Sequence, residues 1–474
     1  MPDILTEIVA RRRQDIEAKT VPLAELKAKH HDRTDFRPFH RSLKWNMACP
    51  GMAAVIAEIK RGSPAKGLFA PDLQPVEAAR NYYSGGATCL SVLTEPHYFF
   101  GSLDDLIAAR NACKLPVLQK DFVVTEYQVW EAAVHADCML LIARCLERQQ
   151  IADLHALATQ LGLDVLVEVY DEEDIDKIEP FHFPLVGINH RNLRTMSIDL
   201  EQSKRLFSRF APDQTVVAAS GIKTRDDIEM VMRIGIRAFL VGESLSIQPN
   251  AGDFLVQLVY ADRRMHVKIC GITTPETAIA CLEAGADMIG LVYYPPSPRH
   301  VDTAKIRKIL DAVEPLPESR LIALVVVDQL PNEIDPRIRV LQPYGNIRPE
   351  ELQRNDIPPI RIHVVKDYET FTQLLESPWR KDIFFHCLEM SKGLLPGGNG
   401  AAWDWSVAKP FCEHCPTFIA GGITPENVAD VIRLANPYGI DVSSGVESSP
   451  GVKDMDKVKR LIENVHRTLI RHQH

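Results

Sequence analysis

The chain has 474 residues, enough on the usual prior for about two to four domains and for two full hydrophobic cores. Its 46% hydrophobic and 25% charged residues are an ordinary globular balance, and a formal charge of −9 is the wrong sign for a nucleic-acid binder or a polybasic membrane anchor. No apolar run approaches the ~20 residues of a membrane span, and Met1-Pro2-Asp3 opens without the charged-then-apolar layout of a signal peptide.

In chain order, Ile4 to Ala18 comes first as an amphipathic helix with Leu5, Ile8 and Val9 on one side. Its Arg11, Arg12 and Arg13 read as a solvated face rather than a polyanion site. Eight short apolar runs follow, at Val55–Lys60, Cys89–Thr94, Pro116–Asp121, Cys138–Ala143, Asp164–Val169, Leu185–Asn189, Thr215–Ser220 and Ala238–Glu243. They are continuously apolar, as parallel strands covered on both faces require, and helical stretches such as Leu103–Cys113 and Ile151–Leu161 lie between them. After a boundary near Asp262–Met265 the count repeats. The second set is His266–Gly271, Met288–Tyr293, Leu321–Val327, Arg339–Gln342, Ile360–Val365, Ile383–Leu388, Thr417–Gly421 and Gly439–Ser443. Two consecutive (β/α)8 barrels are therefore expected, spanning residues 1–262 (with an N-terminal helical extension) and 265–474. A doubly wound open sheet would need a Gly-rich turn after the first strand, and neither half has one.

The ten cysteines are scattered and mostly flanked by apolar residues, as at Cys89, Cys138 and Cys281, which suits reduced thiols in a cytoplasmic protein. Cys412 and Cys415 have metal-ligand spacing around His414, but no second pair follows, so no zinc site is expected.

The end of each half carries the same pattern. Residues 219–245 contain Ala-Ser-Gly-Ile, a helix at Asp226–Met232 and Val-Gly-Glu-Ser; residues 420–446 contain Ala-Gly-Gly-Ile, a helix at Glu426–Leu434 and Val-Ser-Ser-Gly. Small-residue turns at the seventh and eighth strands let backbone N–H groups approach an anion, and this is where barrels often hold phosphate. A phosphorylated substrate is expected in both halves. Polar residues close several apolar runs of the first half, namely Lys60, Lys120, Glu168, Asn189 and Ser220, at the rim where barrel active sites are built. Glu58 and Lys60 stand two apart on one strand and so face the same way, as a tuned acid–base pair or as a structural ion pair in the barrel floor.

Glu58-Ile-Lys60-Arg-Gly-Ser63-Pro64, Ser91-Val-Leu-Thr-Glu95, Tyr98-Phe99, Lys120-Asp121-Phe122, Glu168-Val, Gly187-Ile-Asn189-His-Arg191-Asn-Leu193 and Ser220-Gly221-Ile222 together resemble indole-3-glycerol-phosphate synthase, from about residue 3 to 260. That family closes an indole ring from a carboxyphenylamino-deoxyribulose phosphate with loss of carbon dioxide and water. The resemblance implies Lys120 as general acid at the substrate carbonyl, Lys60 near the substrate carboxylate, and Glu58 and Glu168 in the dehydration. It also implies Asn189 and Arg191 positioning hydroxyl and carboxylate groups, and Phe99 and Phe122 packing the anthranilate ring. Ser63, Ser220, Gly221 and Gly242 would surround the substrate and its phosphate. One departure stands out: Ala219 occupies the place of the family's glutamate before the serine of the seventh strand.

In the second half, Lys268-Ile-Cys270-Gly271, Ser297-Pro298-Arg299-His300, Gly397-Gly398-Asn399-Gly400, Trp403-Asp404-Trp405, Ala420-Gly421-Gly422-Ile423-Thr424 and Asp441-Val-Ser443-Ser444-Gly445-Val446-Glu447 resemble phosphoribosylanthranilate isomerase, over about 265 to 470. The resemblance implies Cys270 as the base of an Amadori rearrangement, effective as a thiolate if its pKa is lowered. It implies Arg299 on the anthranilate carboxylate, Gly422, Ser444 and Gly445 around the phosphate, and Asp441 in the substrate site. Two departures mark this half. The family's acid is an aspartate ending the sixth strand, where Glu389 is the best substitute and His386 the second. Tyr344 stands where the family has histidine.

Two readings of the whole are open: a bifunctional enzyme of tryptophan biosynthesis, isomerase then synthase, or a synthase joined to a non-catalytic or retargeted ligand-binding barrel. Both expect small phosphorylated anthranilate derivatives as ligands, no metal or organic cofactor, and a monomer.

Overall fold

The structure, a computed structural model, describes residues 4–47, 52–192, 197–259, 265–314, 320–327, 329–338, 340–344, 360–365, 385–389, 402–414 and 416–472. The expected Gly397–Gly400 turn, Leu193, Arg339 and Cys415 lie outside the described residues. The chain divides into two compact units, the first running to Asp262 and the second from Arg263.

The first unit is a closed parallel barrel of eight strands: β1 (Ala54–Ile59), β2 (Cys89–Leu93), β3 (Val117–Lys120), β4 (Cys138–Ile142), β5 (Asp164–Val169), β6 (Leu185–Asn189), β7 (Thr215–Ala219) and β8 (Ala238–Val241). The second is another: β9 (His266–Cys270), β10 (Met288–Tyr293), β11 (Leu321–Val327), β12 (Val340–Tyr344), β13 (Ile360–Val365), β14 (Phe385–Leu388), β15 (Thr417–Ala420) and β16 (Gly439–Val442). Both are the (β/α)8 architecture. The strands are apolar on both faces because one face fills the barrel and the other meets helices; all six residues of β1 and all seven of β11 are buried. Half of the sixteen expected runs end one residue late, several of them on the polar residue that leaves the strand for the rim, as at Lys60, Thr94 and Ser220. The largest slip is β12, expected at 339–342 and found at Val340–Tyr344. Pro343 within it disguised the strand.

Two short ribbons went unread, Gly62–Ser63 with Gly67–Leu68 and Glu447–Ser449 with Val452–Lys453. They are too short to carry an alternation. The N-terminal helix α1 (Ile4–Glu17) buries Leu5, Ile8 and Arg12, one face at helical spacing. Arg12 corrects the expectation of a solvated arginine face: its Nε and Nη2 donate to both carboxylate oxygens of Asp121 at 2.8 and 2.6 Å, in a buried pair that Thr94 joins at 2.6 Å. Arg11 and Arg13 are exposed.

Candidate active sites

In the first barrel, parallel register brings the polar strand ends together: Glu58 lies beside Ser91, Leu93 beside Lys120, Ile142 beside Glu168, and Asn189 beside Ala219. They open into a cavity of about 1060 Å³ at the C-terminal end of the strands. All twelve residues expected there line it: Glu58, Lys60, Ser63, Phe99, Lys120, Phe122, Glu168, Asn189, Arg191, Ser220, Gly221 and Gly242. Lys60 Nζ is 2.9 Å from Glu58 Oε1, and Lys120 Nζ is 3.5 Å from Glu168 Oε2. Asn189 Nδ2 donates to the other Glu168 oxygen at 2.9 Å, and its own carbonyl accepts from the Arg191 backbone N–H at 3.0 Å.

Burial alone would lower the Lys120 pKa, but Glu168 and Glu58 outweigh it and raise it, so this lysine keeps its proton. Burial pushes Glu58 up, yet Lys60 and then Lys120 draw it down, so Glu58 is held as a carboxylate. Gly242 makes room for it, because a Cβ there would lie 2.3 Å from Glu58 Oε1. Phe99 and Phe122 face each other at 5.9 Å between ring centroids, an apolar wall to which α1 adds Leu5 and Ile8. Ala219, in the place of the family glutamate, is buried and lines the cavity.

The two seventh-strand turns match in backbone as well as in sequence. Ser220 and Gly221 have φ of 69° and 82°, and Gly421 and Gly422 have 88° and 69°. Two successive left-handed residues aim backbone N–H groups outward, and Ser220 adopts this at a conformational cost that glycine avoids. Buried His190 supports it from behind, its Nδ1 2.9 Å from Ser220 O and its Nε2 2.6 Å from Ser203 Oγ.

The second barrel has a cavity of about 740 Å³ in the same place, lined by Cys270, Arg299, Glu389, Gly422, Asp441, Ser444 and Gly445, all seven residues expected, and by Tyr344. His386, earlier in β14, is buried and does not line it. Neighbouring groups set the state of two of these residues. The Cys270 thiol is not lowered: burial pushes it up, against a smaller pull from Lys268. Arg299 is braced on one edge, its Nε and Nη2 donating to Glu447 at 2.9 and 2.8 Å, and Lys453 meets the same carboxylate at 2.7 Å. Asp441 both lines the cavity and anchors Lys268, its register partner, at 2.6 Å.

Comparison with known proteins agrees with this division. A family model for indole-3-glycerol phosphate synthase matches residues 5–258, and one for N-(5'-phosphoribosyl)anthranilate isomerase matches 267–464. An indole-3-glycerol phosphate synthase of Desulfosudis oleivorans is 47% identical over 262 residues, covering 55% of this chain and 99% of that protein. A multifunctional tryptophan biosynthesis protein of Phycomyces blakesleeanus is 31% identical over 97% of this chain and 69% of its own length. The chain belongs to both families in tandem. A solved phosphoribosyl anthranilate isomerase from Thermotoga maritima is also similar, at 31% identity over 43% of this chain and 99% of that one, with a TM-score of 0.38.

Sequence reasoning missed several polar residues at the two mouths. In the synthase-family half, Glu243 bridges Lys66 at 2.6 Å and Arg191 at 3.7 Å across the rim. In the isomerase-family half, Lys268 is fully buried and stands two residues before Cys270. That spacing on one strand was a signal for a shared face, of the kind read for Glu58 and Lys60. Glu447 and Lys453 act through a ribbon the sequence did not announce. Among the described residues no group of three or more metal-ligating side chains converges, and no helix is long and apolar enough to cross a membrane.

Proposed function

We propose that this chain catalyses two consecutive steps of tryptophan biosynthesis. The second barrel isomerises N-(5-phosphoribosyl)anthranilate to 1-(2-carboxyphenylamino)-1-deoxyribulose 5-phosphate, and the first closes that product to indole-3-glycerol phosphate. One observation carries the reading: a protonated lysine, Lys120, stands between two carboxylates at the mouth of a barrel whose wall is aromatic.

In the first site, Lys120 gives a proton to the substrate carbonyl oxygen as the aryl carbon attacks, and carbon dioxide leaves to restore the ring. Glu168, steadied by Asn189, and Glu58 then move the protons of the dehydration, while Lys60 and Arg191 meet the substrate's anionic groups. Phe99 and Phe122 hold the anthranilate ring. Ser63, Ser220, Gly221 and Gly242 surround the phosphate end.

In the second site, Glu389 protonates the ribose ring oxygen as the C1–O bond breaks and the anthranilate nitrogen's lone pair forms the C1=N bond. Cys270 takes the proton from C2 as its thiolate, the form that neighbouring Lys268 favours, and the enolamine ketonises. Gly422, Ser444 and Gly445 bind the phosphate. Arg299, braced by Glu447, presents its remaining edge to the carboxylate.

Neither step needs a metal or organic cofactor. The chain acts in the cytoplasm, as a monomer divided between Asp262 and Met265; each cavity is lined from one unit alone, so neither needs a second copy to complete it.

The test is fluorescence loss of N-(5-phosphoribosyl)anthranilate and absorbance gain of indole-3-glycerol phosphate with full-length protein. Loss without gain, or gain only from supplied carboxyphenylamino-deoxyribulose phosphate, would remove one half of the reading.

A further inference from the structure

The two departures in the second barrel, Tyr344 and Glu389, touch each other. Tyr344 ends β12, Glu389 follows β14, and both side chains are buried against the cavity that holds Cys270. The phenol oxygen of Tyr344 is 3.0 Å from Glu389 Oε2 and 3.2 Å from Gln342 Nε2. Gln342 Oε1 is in turn 2.7 Å from Lys268 Nζ, and Lys268 is 2.6 Å from Asp441.

The direction of this row follows from donor chemistry. A lysine ammonium only donates, so the Gln342 amide faces it with oxygen and turns its NH2 to the phenol. The phenol oxygen accepts that bond, and its single hydrogen goes on to Glu389 Oε2. A carboxylic acid carries its proton on one oxygen; with Oε2 accepting, the proton belongs on Oε1. Tyr344 is not itself the acid, because burial and then the charge of Glu389 raise its phenol far above the ordinary value.

We infer that Tyr344 is a positioning residue for the isomerase acid: through the row Lys268–Gln342–Tyr344 it fixes which oxygen of Glu389 holds the transferable proton. The inference rests on Glu389 being the acid of the proposed isomerase. It also accounts for the longer side chain, since the glutamate carboxylate at 389 is within 3.0 Å of the phenol.

The experiment compares wild-type, Tyr344→Phe, Glu389→Asp and the double variant, all full-length, by fluorescence loss of N-(5-phosphoribosyl)anthranilate across pH. In Tyr344→Phe, kcat is expected to fall about tenfold with KM within about twofold, a loss on the scale of one hydrogen bond made to a charged group. The carboxylate loses a donor that favoured its charged form, so one limb of the pH profile moves to higher pH by up to about one unit. Glu389→Asp keeps the acid but withdraws it from the phenol, so it lowers kcat instead of improving it. It also serves as the second variant if Tyr344→Phe does not fold. Adding Tyr344→Phe to Glu389→Asp then costs little more.

Unchanged kcat and pH profile in Tyr344→Phe, additive losses in the double variant, or a faster Glu389→Asp enzyme would each overturn the positioning role while leaving the isomerase reading intact. A wild-type chain that does not consume the substrate overturns the isomerase reading and this inference with it.

Discussion

The two barrels share strand count, parallel register and a left-handed seventh-strand turn, yet they place their charges differently. In the first, the groups proposed to react are themselves the ion pairs, Lys60 with Glu58 and Lys120 with Glu168, at the cavity wall. In the second, the ion pair Lys268–Asp441 leads to the proposed acid, Glu389, through two neutral side chains, Gln342 and Tyr344. Direct pairing sets protonation state, as the raised Lys120 and lowered Glu58 show. A neutral row sets orientation instead. One fold thus supports two ways of preparing a proton donor.

The sharpest way to break this contrast is to remove one donor or base from each side. Lys120→Met takes away the proposed acid of the first site and is expected to slow indole-3-glycerol phosphate formation by about 10²–10⁴-fold. The isomerase should stay within about twofold, because the substitution lies in the other unit. Cys270→Ala should do the reverse. Separate assays of the two reactions on each variant check both; a variant that loses both activities would mean the barrels do not function independently.

A smaller effect is expected at Gly242. In the repeated segment its counterpart is Ser443, so the second barrel accepts a side chain there and the first does not. The difference is Glu58, whose Oε1 would lie 2.3 Å from an alanine Cβ. Gly242→Ala should push Glu58 off Lys60 and lower synthase kcat by about 10²-fold, the penalty for misplacing a reacting group by about 1 Å. Melting temperature should change little. Synthase kinetics and a thermal scan test this, and normal kinetics would mean the cavity yields around Glu58.

The fold and several rim residues were legible in local sequence, while Phe99, Phe122, Arg191 and Glu389 were legible only through the resemblance to the two families. Strands in this fold are contiguous apolar runs, and the polar residue that ends a run is the one that reaches the rim, as with Lys120, Glu168 and Asn189. What was not legible depends on distance. Arg12 reads as one of three surface arginines until the fold sets it against Asp121, 109 residues away. Tyr344 and Glu389 each read as an isolated loss, and only parallel packing makes them partners across 45 residues. Glu447 reaches Arg299 over 148 residues from a ribbon too short to show a period. Charge pairs of this kind leave no periodic signal.

Arg12 also provides a stability test confined to the first barrel. Arg12→Met leaves Asp121 buried without its cation, and breaking a buried pair from one side costs about 3–5 kcal/mol. Since α1 brings Leu5 and Ile8 to the cavity wall, synthase KM should rise as well. Denaturant titration followed by each activity should show the synthase lost earlier and the isomerase unmoved. Coincident loss of the two would mean that α1 supports the whole chain.

The mildest expected difference is in acid tolerance. Four histidines of the first unit have lowered pKa values. Burial draws His135 down to about 4, assisted by Lys29 and its neighbours, and burial alone draws His155 to about 4. His40 and His190 are lowered by burial too. Each is neutral in the folded barrel and protonates in the unfolded chain near the ordinary value of about 6.5. The unfolded state therefore binds more protons below that pH, and stability falls as pH falls. The contribution is fully present above about 6.5 and is lost as the pH drops through the folded values, near 4 for His135 and His155. Carboxylates such as Glu58 and Glu447 titrate below this window, so between pH 7 and pH 5 the histidines dominate. Heating at those two pH values should lower the temperature of synthase loss, and His155→Gln should reduce that shift; an unchanged shift would mean that these buried histidines do not set the first barrel's acid limit.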